Sequence, residues 1–118
     1  MVRTYRDLIV WQKAVQLVTA VYRATKSFPK EEIYGLVSQI RRCAVSVPSN
    51  IAEGYGRKST ADYLRFLQMA VGSLYELQTQ LEIAKNLHYM KEETYEALYS
   101  GSREIERMLS SLISKLNP

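Results

Sequence analysis

Ile51-Ala52-Glu53-Gly54-Tyr55-Gly56-Arg57-Lys58-Ser59-Thr60-Ala61-Asp62-Tyr63-Leu64-Arg65-Phe66 decides how this chain folds. One apolar helical phase runs into the stretch and a second one leaves it. Between them, two glycines and two cations break the pattern within five residues. Ser59 offers a side-chain oxygen to the free N–H groups of a starting helix, and Asp62 stands three residues on, as in a capping box. A break this short returns the second helix antiparallel to the first.

Upstream, Ile33, Leu36, Val37, Ile40, Ala44, Val47 and Ile51 recur at i+3/i+4 spacing, which predicts a helix starting near Pro29. Glu31 and Glu32 would suit its positive end. Pro48 cannot donate to the Ala44 carbonyl and crowds that turn. Because the apolar phase continues to Ile51, a kink near Pro48 is expected, with a junction of two helices as the alternative. Before that lies a helix from about Asp7 to Lys26. It carries one stripe of Leu8, Trp11, Val15, Val18 and Tyr22 and a second of Val10, Ala14, Leu17, Val21 and Ala24. An arc this wide points to burial against more than one neighbour, including another subunit.

Downstream, Tyr63, Phe66, Leu67, Ala70, Leu74, Leu77, Leu81 and Ala84 predict a helix to about Leu87, and His88-Tyr89-Met90 a turn. Tyr95, Leu98, Ser102, Ile105, Leu109, Leu112 and Leu116 form a heptad seam on a last helix from about Lys91 to Leu116. The expected fold is therefore all-α: an antiparallel up-down-up-down four-helix bundle forming one domain over residues 1–118.

At 118 residues the chain is long enough for a hydrophobic core without a disulfide or metal staple. Cys43 is the only cysteine, which fits a reducing compartment. Met1 to Asp7 leads into no signal core, and no apolar run approaches the ~20 residues of a membrane span. The cytoplasm is the expected location, with no membrane partner. The net charge of +4 is unevenly spread. Residues 1–58 carry ten Lys and Arg against four Asp and Glu, whereas residues 59–118 carry six against eight. A basic half attracts phosphates or acidic partners, or it pairs with the other half or with a neighbouring subunit.

No coherent catalytic centre emerges. A di-iron bundle needs Glu-x-x-His pairs, but His88 is the only histidine and Lys85 stands three before it. One Cys and one His cannot hold zinc. The Arg-x-x-x-x-His motif of HEPN-type ribonucleases is missing, because Ile83 stands five before His88. Gly54 to Ser59 has the wrong spacing for a Walker loop. The expectation is no catalytic residue, no metal and no cofactor, with His88 a solvated turn residue.

Two features invite a binding role. Gln39, Arg42, Ser46, Asn50 and Glu53 follow i+3/i+4 spacing away from the apolar stripe. Such a line suits a polar helix–helix interface, or simply a solvated face. The turn Gly54 to Ser59 joins two cations, Arg57 and Lys58, to a helix N-terminus. With Arg41, Arg42 and Arg65 in reach it would hold phosphate, and otherwise it is an exposed turn. Tyr22, Tyr63 and Tyr95 fall on core stripes, while Tyr34, Tyr55, Tyr75, Tyr89 and Tyr99 are left for interfaces.

Five blocks can be read together: Asp7-Leu8-Ile9-Val10-Trp11-Gln12-Lys13-Ala14, Phe28-Pro29-Lys30-Glu31-Glu32-Ile33-Tyr34-Gly35-Leu36, Gln39-Ile40-Arg41-Arg42, Ser46-Val47-Pro48-Ser49-Asn50-Ile51-Ala52-Glu53-Gly54 and Gly72-Ser73-Leu74-Tyr75-Glu76-Leu77. In order and spacing they resemble the bacterial 23S rRNA intervening-sequence proteins, to which accessory proteins of diversity-generating retroelements look related. The resemblance implies a four-helix bundle assembled into a ring, as a homopentamer. The retroelement relatives are associated with nucleic acid and a reverse transcriptase through a basic surface. The resemblance also implies a structural or interface role for Gln39, Arg42, Ser46, Asn50 and Glu53. Together these readings predict a homo-oligomer that binds RNA or DNA through Arg41, Arg42, Arg57, Lys58 and Arg65. The alternative is a protein-interaction scaffold with no nucleic-acid role.

Overall fold

The structure, a computed structural model, describes residues 1–117. Helices α1 (Ile9–Thr25), α2 (Leu36–Tyr55), α3 (Thr60–Asn86) and α4 (Glu92–Leu116) stand side by side in an up-down-up-down bundle measuring 43 × 24 × 21 Å. Cross-helix bonds fix the order. Arg41 of α2 donates to Thr25 at the end of α1, and Ser73 and Gln80 of α3 donate to Ser46 and Gln39 of α2. Gln78 of α3 reaches Ser102 of α4, and α1 closes the ring of helices where Lys13 pairs with Glu104 at 3.4 Å.

The core is built from the stripes. Val21, Ile40, Val47, Ile51, Leu67, Leu74, Leu77, Leu81, Ile105 and Leu109 are fully buried. Each contributes about 1.5–3 kcal/mol by leaving water. On α4 the heptad seam is buried from Tyr95 to Leu109 and half-buried at Leu112 and Leu116. Its Ser102 survives burial because it donates to the Tyr99 carbonyl at 2.7 Å.

The first helix departs from its expected bounds. Thr4 and Asp7 close a capping box around a separate 3-10 turn, Tyr5–Asp7, and extended Leu8 precedes α1. Of the two expected stripes, Val10, Ala14, Leu17 and Val21 face the core. In the other, Leu8, Trp11 and Val18 are half-buried, while Val15 and Tyr22 are exposed. Tyr22 is thus not a core residue; the Arg41 guanidinium lies over its ring at 4.5 Å.

The second helix begins later than Pro29. Lys30–Glu32 forms a 3-10 turn and Gly35, at φ −112° and ψ −112°, breaks the path. The signal that places the start of α2 is Glu32. Its Oε1 accepts from the Leu36 N–H at 3.1 Å and its Oε2 accepts from the Tyr89 hydroxyl at 2.8 Å. These backbone and side-chain donors hold the Glu32 carboxyl below its ordinary pKa. Ile33, expected in the core, therefore sits on the turn and is 55% exposed. From Leu36, α2 runs as one helix through buried Pro48 to Tyr55, so the junction of two helices is excluded. Ser59 caps α3 as expected, its oxygen accepting from the Asp62 N–H at 3.1 Å. His88, second in the α3–α4 connection, lies in the left-handed region, at φ 62°, and is exposed.

Candidate nucleic-acid interface

The turn between α2 and α3 carries the basic residues, and the helix ends on either side of it are packed together. Gly54 is buried against Phe66 and Tyr63, so the end of α2 lies directly on the start of α3. Phe66 is buried, and the guanidinium groups of Arg57 and Arg65 lie over its ring at 4.6 and 4.7 Å. A cation over an aromatic face is held by the ring quadrupole while its N–H groups stay outward. Arg57 also meets Glu53, and Arg65 meets Asp62, each at 3.7 Å. These are surface pairs: the two arginine side chains remain 45% and 59% exposed, so water and salt weaken both. Lys58 between them is exposed. Tyr55 and Tyr63 pack edge to face beneath, and burial holds the Tyr63 hydroxyl above its ordinary pKa.

Arg41 and Arg42 do not join this group. They lie fifteen or more residues back along α2, about 22 Å or more at 1.5 Å per residue. Arg41 is spent on structure. Its Nε donates to Thr25 Oγ1 at 2.9 Å and its terminal nitrogen to the Tyr22 carbonyl at 3.3 Å. Arg42 is exposed on the side of the bundle.

The polar line of α2 is divided between packing and surface. Ser46 accepts from Ser73 of α3 at 2.9 Å, and Asn50 donates to both the carbonyl and the hydroxyl of Ser46. Gln80, buried, donates to Gln39 at 3.4 Å, while its own Oε1 has no partner among the described residues. Cys43 lies in the same seam. Burial, with the Glu76 carboxylate beside it, pushes its thiol up to about 11. Glu53 and Arg42 point to solvent. The seam is therefore an intramolecular α2–α3 contact.

Two cations that the charge pattern did not single out lie at the basic end. The antiparallel order puts the start of α1 beside the end of α2, and the Tyr5–Asp7 turn packs on α2. Arg3 and Arg6 come with it. Arg6 lies over the rings of Tyr5 and Trp11, at 5.7 and 5.6 Å. The backbone N–H groups of Arg3 and Thr4 bind the Asp7 carboxylate and hold its pKa down. The Thr4-to-Asp7 spacing was the legible signal for this turn. Among the described residues at this end of the bundle, Arg3, Arg6, Arg57, Lys58, Arg65 and Lys115 face Asp7, Glu53 and Asp62. At the far end six cations, Arg23, Lys26, Lys30, Arg41, Lys85 and Lys91, face six glutamates. The molecule is thus charge-polarised along its long axis.

A model of the 23S rRNA-intervening sequence protein family matches residues 6–111. The chain belongs to this family. A crystal structure of a protein with unknown function from the S23 ribosomal protein family of Bacteroides thetaiotaomicron superposes with a TM-score of 0.81 at 26% identity, covering 89% of this chain and 98% of that one. No curated protein matches the chain. This family member shares its fold with that structure, and no helix among its described residues is long and apolar enough to cross a membrane.

Proposed function

We propose that this intervening-sequence protein is a non-catalytic, homo-oligomeric bundle that binds nucleic acid, structured RNA or an RNA–protein complex, through its basic end. The observation that carries the reading is the seating of Arg57 and Arg65 on Phe66 beside exposed Lys58. Cations fixed on a rigid frame lose little freedom on meeting phosphate. The family's name, with its 23S rRNA intervening sequence, favours RNA over DNA. Exposed Ile9, Val15, Tyr22 and Val45 on α1 and α2 favour assembly with further copies, as a pentamer by resemblance. The relation to retroelement accessory proteins, with a reverse transcriptase as protein partner and a cytoplasmic location, belongs to the same reading.

The test is binding of nuclease-treated protein to RNA and DNA at two salt concentrations, with solution mass measured on the same sample. Arg57→Glu with Lys58→Glu should weaken binding and flatten its salt dependence without unfolding the protein. Unchanged affinity and slope would remove the basic end from consideration. A second reading, a protein scaffold, is favoured by Tyr34, 95% exposed beside Ile33 on the turn before α2. A partner that co-purifies after nuclease treatment and is lost on Tyr34→Ser would support it.

A further inference from the structure

We infer that Arg3 and Arg6 of the N-terminal turn are part of the same ligand surface as Arg57, Lys58 and Arg65, and that this surface takes the phosphate backbone of a duplex rather than unstacked bases. The inference rests on the nucleic-acid reading and specifies its ligand.

The placement of the turn argues the first half. Residues 5–7 pack on α2, whose adjoining end leads directly into Arg57. The turn is an ordered platform: Thr4 and Asp7 cap it, and Gln12 donates to the Arg6 carbonyl at 2.8 Å. Asp7 is the acidic group nearest to Arg3 and Arg6 in the chain, and its carboxylate is occupied by two backbone N–H groups. The guanidinium of Arg6 is aromatic-backed like those of Arg57 and Arg65. Two separate chain segments therefore present arginines of the same kind at one end.

The rings argue the second half. Single strands are gripped by stacking bases on open aromatic faces. Here Arg57 and Arg65 lie over Phe66, Arg6 lies over Tyr5 and Trp11, and Tyr55 packs against Tyr63. What the surface offers outward is N–H donors, which fit phosphate oxygens. With one phosphate per about 1.7 Å of axis over both strands, as in duplex DNA, an edge of 24 Å spans roughly fourteen, and even with half facing away five cations are served.

The experiment measures affinity for an RNA duplex and for a single strand of equal length across a salt series. Wild type is compared with Arg3→Glu/Arg6→Glu, Arg57→Glu/Lys58→Glu and a far-end control, Arg23→Glu/Lys26→Glu. Arg3→Gln/Arg6→Gln repeats the first test by neutralisation alone if the charge-reversed turn fails to fold. The duplex should bind at least as tightly as the single strand. Neutralising Arg3 and Arg6 should lower the salt slope by about two, one for each lost phosphate contact. The far-end control should bind like wild type. If Arg57→Glu/Lys58→Glu weakens binding but both Arg3/Arg6 variants behave as wild type, the inference fails and the nucleic-acid reading stands. If none of the variants changes binding, the reading itself fails. A marked preference for the single strand overturns the backbone assignment.

Discussion

A Cβ built on Gly54 would lie 2.7 Å from the Cβ of Phe66, closer than two carbons can stand. Tyr63 blocks the same space, with its ring at 3.1 Å and its carbonyl at 3.3 Å. The obstructing atoms belong to the first turns of α3, so relief requires α2 and α3 to part. Gly54→Ala gains about 1 kcal/mol of helix propensity. The overpacking nevertheless outweighs it, at about 1–3 kcal/mol. Urea denaturation should therefore show a lower midpoint for Gly54→Ala. A midpoint at or above wild type would mean that the two helices do not approach this closely.

Leu74 and Met69 lie five residues apart on α3 with opposite fates. Leu74 is fully buried and Met69 is 47% exposed. Leu74→Ala should cost about 2–5 kcal/mol through lost burial and the cavity left behind. Met69→Ala should change stability by less than about 0.5 kcal/mol. Equal losses in the two would place Met69 at a contact formed only in the assembled protein.

Cys43 should be inert in the folded chain. Burial, then the neighbouring Glu76 carboxylate, raises its thiol to about 11, so the thiolate is scarce at pH 8. A disulfide reagent should modify it slowly in native buffer and rapidly in denaturant. The folded state holds the thiol proton more tightly than the unfolded chain. Its stabilising effect is therefore complete below the ordinary thiol pKa and is lost as pH rises toward 11. Cys43→Ala should remove part of the alkaline loss of stability. The remainder belongs to Tyr63 and Tyr95, which burial also holds above their ordinary values, and to Tyr89, which its bond to Glu32 holds up. Rapid native labelling would contradict the α2–α3 seam as described.

Glu106 ties α3 to α4. Burial pushes its carboxyl up, but donors from Gln78, Arg103 and Tyr75 outweigh that and hold it below the ordinary range. Its contribution is thus present above the unfolded carboxylate pKa and is lost as pH falls through the folded value. Glu106→Gln should cost about 1–3 kcal/mol at neutral pH and flatten the acid limb of the stability curve. An unchanged acid limb would show that the donors do not favour the charged form.

The bundle was legible because helical periodicity is local: Leu74, Leu77 and Leu81 announce their face within two turns. The start of α2 was not. Glu31 and Glu32 looked like first-turn residues, but the latter caps from outside the helix and depends on Tyr89, which is 57 positions away. The two stripes of α1 were legible, but which of them faces the core was not, for a related reason. Periodicity reports that Val10 and Val15 are both apolar, not which of them meets α4. The basic turn was visible at Arg57, Lys58 and Arg65. Sequence spacing groups Arg41 with them because it does not show the Thr25 hydroxyl that engages it, and it leaves out Arg6, whose company is set by topology.

The Ser73–Ser46 bond, with Gln80–Gln39 two turns away, sets the axial alignment of α2 against α3. Leucines on facing stripes would fit almost as well after one helix slid by a turn. Hydroxyls and amides would not, because a slide takes their partners from half-buried Ser46 and Ser73 and from buried Gln80 together. The pair therefore has one admissible setting. Drift among its apolar residues is tolerable so long as this polar row persists, and loss of the row would leave a bundle of similar compactness without a unique register.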